Sequence, residues 1–207
     1  MRADRFDYDL PRERIAEEAA PRGESRLMVV GEGVEHTEVS ALPTLLRSGD
    51  LVVVNNTRVL PARLYSTRAA TGGRVEILLV EKVGERTWKA LLKPARRLRK
   101  GERLMLEPGL EGSLAEDPVD GRATLDLTRP AEEFLSRLGH VPLPPYIHRA
   151  DNTHDRERYQ TVYASELGAI AAPTAGLHFG DEDLEALRAA GVEIVEITLH
   201  VGIGTFR

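Results

Sequence analysis

The sequence predicts a mixed α/β fold: an α/β domain interrupted by an inserted antiparallel β-barrel. Apolar residues at helical and strand spacing occupy both ends of the chain. The middle, from Leu64 to Leu127, changes to short strands separated by glycine turns, as in a small barrel or sandwich. A stiff proline-rich crossing, Gly139-His-Val-Pro-Leu-Pro-Pro-Tyr-Ile-His-Arg149, then returns the chain to α/β texture. The expected division is a discontinuous α/β domain over residues 1–63 and 145–207 with a barrel over 64–144.

In chain order, Pro11 suits the first position of a helix from Arg12 to Ala19, ended by Pro21-Arg-Gly23. Arg26 to Val30 reads as a short buried strand and Gly31-Glu-Gly33 as a turn, and Ser40 is placed to cap a helix through Leu46. Ser48-Gly-Asp50 turns the chain into Leu51-Val-Val-Val54, an apolar run suited to a central strand. Within the middle region, strands are expected at Arg74–Val80, Thr87–Leu92, Arg103–Leu106, Leu110–Leu114 and Arg122–Leu127. Pro130 and Ala131 open a helix from Glu132 to Leu138 with Gly139 as its cap, and Asp155 to Tyr163 forms another. Near the end, the acids of Gly180-Asp-Glu-Asp183 favour a helix N-terminus, and Gly191 stands where a left-handed C-terminal cap is wanted. Val192 to Val201 alternates, with Val195, Ile197, Leu199 and Val201 on one strand face and Glu196, Thr198 and His200 on the other.

The 207 residues are 42% apolar and 29% charged, ordinary for a globular protein with a real core. Cysteine is absent, which excludes disulfides and thiolate metal sites. The N-terminus does not read as a signal or transit peptide, and no run reaches transmembrane length, so a cytoplasmic protein without membrane contact is expected. A net charge of −5 argues against indiscriminate nucleic-acid binding but leaves room for a local basic face.

Five stretches concentrate chemistry. Ala171-Ala-Pro-Thr-Ala-Gly-Leu-His-Phe179 and Leu199-His-Val-Gly-Ile-Gly-Thr-Phe206 each present a histidine beside glycines, and they bracket one helix. Asn55-Asn-Thr-Arg58 lies at the end of an apolar strand; it is either a turn bonding its own backbone or a polar binding loop. Lys93-Pro-Ala-Arg-Arg97, continuing to Lys100, is a basic connection, read either as a solvated face or as a phosphate contact. Tyr146, His148 and Arg149 could stack a base or grip a phosphate, or Tyr146 could simply pack. No Walker loop, dinucleotide fingerprint, His-Glu-x-x-His metal motif or serine-hydrolase elbow is present. These residues point to an enzyme acting on a nucleotide-like or nucleic-acid substrate.

The same stretches carry a resemblance. Phe6-Asp-Tyr-Asp-Leu-Pro11, Gly49-Asp-Leu-Val-Val-Val-Asn-Asn-Thr-Arg-Val-Leu-Pro-Ala-Arg-Leu64, Lys93-Pro-Ala-Arg-Arg97, Gly139-His-Val-Pro-Leu-Pro-Pro-Tyr-Ile147, Tyr159-Gln-Thr-Val-Tyr163 and the two histidine loops follow in order along the whole chain. Together they resemble the S-adenosylmethionine:tRNA ribosyltransferase-isomerase family of queuosine biosynthesis. The resemblance implies an α/β domain with an inserted barrel. It also implies transfer and isomerisation of the ribosyl group of S-adenosylmethionine onto the aminomethyl group of 7-aminomethyl-7-deazaguanine (preQ1) at the tRNA wobble position. Epoxyqueuosine-tRNA forms, with adenine and methionine released. S-adenosylmethionine is thus a co-substrate, no metal is implied, tRNA is the partner, and a monomer is expected.

Mapped onto this sequence, the resemblance makes His178 and His200 the acid/base candidates. It makes Asn55, Asn56, Thr57 and Arg58 ligands for ribose hydroxyls or the methionine carboxylate, with Thr174, Gly176, Gly202, Gly204 and Thr205 shaping the same site. Lys93, Arg96, Arg97 and Lys100 would follow tRNA phosphates, with Tyr146, His148 and Arg149 near the modified base. Two departures stand out. The family commonly carries Asp where this chain has Asn56, and its members continue beyond Gly-Thr-Phe, whereas this sequence stops at Arg207. Part of the α/β sheet and of the site is therefore expected to lie outside these residues. The competing classes are a non-catalytic tRNA-binding fragment, which would bind tRNA but no nucleoside, and a methyltransferase, which would yield S-adenosylhomocysteine instead of adenine.

Overall fold

In the computed structural model, residues 2–144 and 146–206 are described, Thr205 and Phe206 by their backbone alone. The N-terminal helix expected over Arg12–Ala19 is replaced by short 3-10 turns at Ala3–Phe6 and Arg12–Arg14. Ile15 is the lone large apolar side chain between Arg12 and Ala20, so this segment has no stripe to dock and too little length to hold a helix unaided. β1 (Arg26–Val30) and β2 (Val34–Glu38) form an antiparallel hairpin. β1 is not the buried strand expected, since Met28 and Val30 are 59% and 69% exposed. A 3-10 turn at Val39–Ala41 leads into α1 (Leu42–Leu45), so Ser40 lies inside a turn and caps nothing.

β3 (Leu51–Asn55) and β4 (Thr57–Val59) follow, and the chain then enters a closed six-stranded antiparallel barrel. Its strands are β5 (Arg63–Arg68), β6 (Arg74–Lys82), β7 (Thr87–Lys93), β8 (Arg103–Glu107), β9 (Leu110–Leu114) and β10 (Arg122–Leu127). Closure in the order β10-β7-β6-β5-β8-β9 leaves no strand edge unpaired in the ring. Inward positions alternate with outward ones, so Leu64, Ile77, Leu79, Leu104, Leu114 and Leu125 fill the barrel. The fit is close enough that a Cβ on Gly112 would stand 2.8 Å from Leu125 Cδ1. β5 is absent from the sequence expectation; its inward serine, Ser66, hides the alternation, and its hydroxyl donates to the Val75 carbonyl at 2.8 Å.

The helix expected over Glu132–Leu138 is broken into a 3-10 turn, Ala131–Glu133, and α2 (Leu135–Leu138). The break sets Phe134, fully buried, and Leu135 into the barrel core. Gly139 is the C-cap, as expected, its N–H donating to Leu135 O, but its φ of −74° is open to any residue. Glycine is required there for space, because a Cβ would stand 2.0 Å from the Pro61 carbonyl oxygen and 2.5 Å from that of Leu135. At this crossing His140 and Arg63 exchange backbone hydrogen bonds of 2.8 and 3.2 Å, so the strand entering the barrel is stitched to the chain leaving it.

α3 (Asp155–Arg158) is one turn where a longer helix was expected. It stops as Gln160 swings its amide onto both backbone groups of Val59, at 2.9 Å each. β11 (Glu166–Ala169) pairs in parallel with β4. α4 (Asp181–Ala189) matches the expectation at both ends. Asp183 accepts the Gly180 N–H at 2.7 Å. Gly191, at φ 82°, closes a C-terminal turn in which the Val192 N–H donates to Leu187 O and the Gly191 N–H to Arg188 O, both at 3.0 Å. β12 (Glu193–Ile197) pairs in parallel with β3.

The β3–β12 pair corrects two expectations. Its packed face carries Val52 and Ile194 against Leu184, Leu187 and Val192. The other face, which includes Val195 and Ile197, is 39–55% exposed at Leu51, Val53, Val195 and Ile197. The alternation is therefore as expected but the buried face is the opposite one, and β3 is not a central strand among the described residues. The strand also ends at Ile197, so His200 lies three residues beyond it rather than at its tip. No helix among the described residues is long and apolar enough to cross a membrane.

Gly139→Ala should lower stability by about 1–3 kcal/mol, since neither carbonyl it meets can move without shifting backbone. Gly33→Ala, with nothing within 4 Å, should be near neutral. Urea midpoints at unchanged m-value measure both.

Candidate active site

Two strand exits face each other across the parallel sheets, and their polar residues hold one another. Asn55, at the end of β3, clamps the Leu199 backbone: its Nδ2 donates to Leu199 O at 2.9 Å and its Oδ1 accepts the Leu199 N–H at 3.0 Å. Asn56 donates to Glu196 at 3.1 Å and accepts from the Thr198 hydroxyl at 2.7 Å. Thr57, 1% exposed, shares a 2.8 Å hydrogen bond between its Oγ1 and Nδ1 of His200. Three of the four residues in this loop thus fix the segment from Glu196 to His200 directly. Asn55 also bonds its own turn, accepting the Thr57 N–H at 3.2 Å.

The imidazole of His200 is held from a second side by Gly168 of β11. A Cβ there would stand 2.5 Å from His200 Cε1 and 2.7 Å from each ring nitrogen, so the ring lies against bare backbone. With Nδ1 engaged by Thr57, Nε2 has no hydrogen-bond partner among the described residues. A hydroxyl can both donate and accept, so Thr57 can support either neutral tautomer and leave Nε2 as proton acceptor or proton donor.

His200, Gly202 and Arg58 line a cleft of about 820 Å³ between these exits and the barrel. The barrel contributes Val80, Lys82 and Trp88, and the segment after it contributes Glu132, Leu135 and Val141. Lys82 and Glu132 are ion-paired at 2.5 Å, and the Glu132 carboxyl is held below its usual range mainly by the hydrogen bond from Lys82. Trp88 is 4% exposed and its indole N–H has no partner among the described residues. Apolar walls with a few convergent polar groups are the usual make-up of a small-molecule site. Trp88, Lys82 and Glu132 were not singled out from the sequence; each sits in an ordinary barrel or surface pattern there.

The other expected residues are distributed as follows. His178 is exposed in the 3-10 turn Thr174–His178, its Nδ1 2.8 Å from Ser25 Oγ, and it does not line the His200 cleft. Thr174 is exposed, while Gly176 is buried because a Cβ would stand 2.1 Å from Tyr163 Oη. Gly204 is exposed; Thr205 falls in a turn at Ile203–Phe206, and its side chain lies outside what is described. Lys93, Arg96, Arg97 and Lys100 are exposed at the end of β7 opposite Trp88, about 16 Å along that strand at the usual rise. They are not brought to the cleft. Tyr146 and His148 are exposed.

Arg149 is committed to structure. It forms a two-pronged pair with buried Asp155 at 2.6 and 2.7 Å and donates to the Glu17 carbonyl at 2.9 Å. Asp155 also completes a reciprocal cap with Asn152, the two N–H···O contacts measuring 2.8 and 3.1 Å. The Arg149 hydrogen bond is the main reason the Asp155 carboxyl lies below its usual range. A depressed carboxyl stabilises the fold above the unfolded-state value near 4 and loses that contribution as pH falls through the folded value. Asp155→Asn should therefore cost about 2 kcal/mol at neutral pH. The difference from the parent chain should shrink below about pH 4, as read from denaturant melts across pH.

Comparison with known proteins agrees with the whole-chain pattern. A family model described as queuosine biosynthesis protein matches residues 3–207. An S-adenosylmethionine:tRNA ribosyltransferase-isomerase from Symbiobacterium thermophilum is 50% identical over 100% of this chain and 62% of its own length. One from Desulfitobacterium hafniense is 48% identical, with the same coverages of 100% and 62%. A crystal structure of S-adenosylmethionine tRNA ribosyltransferase from Thermotoga maritima is 32% identical, covering 96% of this chain and 58% of that one, with a TM-score of 0.38. The chain spans about 62% of the length of the curated relatives it matches. On the family match and these identities, the chain belongs to the queuosine biosynthesis protein family.

Proposed function

We propose that this chain contributes the reaction its relatives' names describe. The ribosyl moiety of S-adenosylmethionine is transferred to preQ1 at the tRNA wobble position and isomerised there, giving epoxyqueuosine-tRNA with release of adenine and methionine. The observation that carries the reading is the His200–Thr57 pair, pressed against Gly168 at the wall of the cleft. The chemistry needs a base for a proton beside the sulfonium and a donor for departing adenine. A neutral imidazole whose Nδ1 is managed by a hydroxyl and whose Nε2 is unengaged can serve as either. The cleft's aliphatic walls and Trp88 suit a planar base, while Arg58 is exposed at its margin for a carboxylate.

In this reading Asn55 and Asn56 position the segment that carries His200 rather than gripping ribose. Thr57 orients the ring through Nδ1 and can follow either neutral tautomer. His178, paired with Ser25 outside the cleft, is the second acid/base candidate. The discontinuous α/β domain over 1–63 and 145–207 with an inserted barrel over 64–144, and a cytoplasmic setting beside tRNA, belong to the same proposal.

The test is adenine release from S-adenosylmethionine with and without tRNA carrying preQ1 at the wobble position. Adenine formation that depends on that tRNA is expected. His200→Ala should then lower turnover by at least about 100-fold. Thr57→Val should lower it about tenfold and shift the pH–rate profile while S-adenosylmethionine affinity stays within about twofold. Gly168→Ala should reproduce the loss by displacing the ring. S-adenosylhomocysteine in place of adenine, or full turnover by His200→Ala, would sink the proposal.

A further inference from the structure

Beside the His200 cleft is a second depression, of about 840 Å³, lined by Arg22, Arg58, Arg156 and Arg158. Arg58 and Arg156, together with Gln160, line both cavities, so the two are contiguous. Four arginines bordering one depression in a chain of net charge −5 need an explanation. Two carboxylates, Glu157 and Asp181, also line the depression, but none of the four arginines makes an ion pair among the described residues.

Backbone carbonyls, which leave the positive charge uncancelled, hold three of them in place. Arg22 donates to Gln160 O at 2.8 Å, Phe179 O at 3.1 Å and Leu177 O at 3.3 Å. Arg156 donates to Ser136 O and Gly139 O at 2.6 and 2.7 Å, and Arg158 donates to Ala20 O. Arg58 makes no side-chain hydrogen bond among the described residues. Burial first, and then repulsion from Arg158, weaken the hold of Arg22 on its proton, with Asp181 and Glu157 opposing them in part. In the same wall Thr161, 5% exposed, has a hydroxyl with no partner among the described residues. Pre-placed like charges and an unsatisfied hydroxyl are what an oxyanion would relieve.

We infer that this arginine depression is a phosphodiester subsite, which holds the RNA backbone next to the nucleotide whose base enters the His200 cleft. The RNA source of the phosphate rests on the proposed function; the oxyanion chemistry does not. The Lys93–Lys100 loop, at the far end of the barrel strand, is then not the contact that registers the reacting nucleotide. A carboxylate, such as the methionine end of S-adenosylmethionine, has the same anionic chemistry and is separated by the second arm of the test.

The experiment is fluorescence-anisotropy titration of the 207-residue chain with a labelled anticodon stem-loop RNA over about 50–200 mM salt, beside calorimetric titration with S-adenosylmethionine. Arg158→Gln should weaken RNA binding about fivefold and reduce the salt slope by about one, leaving S-adenosylmethionine affinity within about twofold. Arg58→Gln, whose side chain is tied to nothing, should give the same slope change together with a loss of S-adenosylmethionine affinity, because Arg58 also stands at the margin of the His200 cleft, and decides the matter if Arg158→Gln fails to fold. Arg74→Gln, the same charge change at an exposed barrel position, is the control. RNA affinities of both variants equal to the control, absence of RNA binding by the parent chain, or loss confined to S-adenosylmethionine would each overturn the inference. A reduced slope without adenine release would retain the phosphate subsite and reject the transferase reading; adenine release with an unchanged slope would do the reverse.

Discussion

The arrangement around His200 depends on one reciprocal lock between two strand exits. β3 and β12 run in parallel, so their C-terminal ends emerge side by side, and each exit carries polar groups that the other satisfies. Asn55 supplies the donor and acceptor that the Leu199 backbone lacks after the strand pairing ends. Asn56 does the same work for the Glu196 and Thr198 side chains, and Thr57 reaches His200 itself. Backbone leaving a sheet must find partners for its N–H and C=O groups, and here side-chain amides provide them. The imidazole is oriented as a consequence.

Glycine is used at the places where this scaffold comes closest to itself. Gly168 lets the His200 ring lie on β11, Gly139 lets the returning crossing touch Pro61, and Gly176 admits the Tyr163 hydroxyl. None of these depends on a left-handed backbone angle alone; each is a matter of the space a Cβ would take. Gly168 and Gly139 help bring the barrel mouth, the crossing and the strand exits to a common cleft.

Charge is partitioned in a similar way. Arg68, Arg103, Arg137 and Arg149 are paired with carboxylates and stabilise local structure. Arg22, Arg156 and Arg158 are instead positioned by carbonyl oxygens, which orient a guanidinium without cancelling it. A negative net charge is thus compatible with a depression lined by four arginines against two carboxylates, because the field near a surface is set by the groups close by and is screened beyond about 8–10 Å.

Local pattern was enough to read the barrel strands from Arg74 to Leu127 and both ends of α4, because alternation, turn glycines and helix caps act over a few residues. The order of the polar loops was likewise enough to read the family. It was not enough for β5, where Ser66 breaks the apolar alternation, for the N-terminal segment, which has no apolar stripe to dock, or for the Asp155 helix, which ends where Gln160 turns to the Val59 backbone. It also could not choose which face of β12 is covered, since alternation marks two faces and packing picks one. The partners of the site were out of reach altogether. Thr57 and His200 are 143 positions apart, and Arg22 meets carbonyls 138 to 157 positions away. Sequence by itself determined which chemical groups sit at strand exits and which family they belong to. Tertiary structure decided that His200 and not His178 faces the cleft, and that scattered arginines gather behind it, because a long-range hydrogen bond depends on how whole elements pack rather than on any local preference.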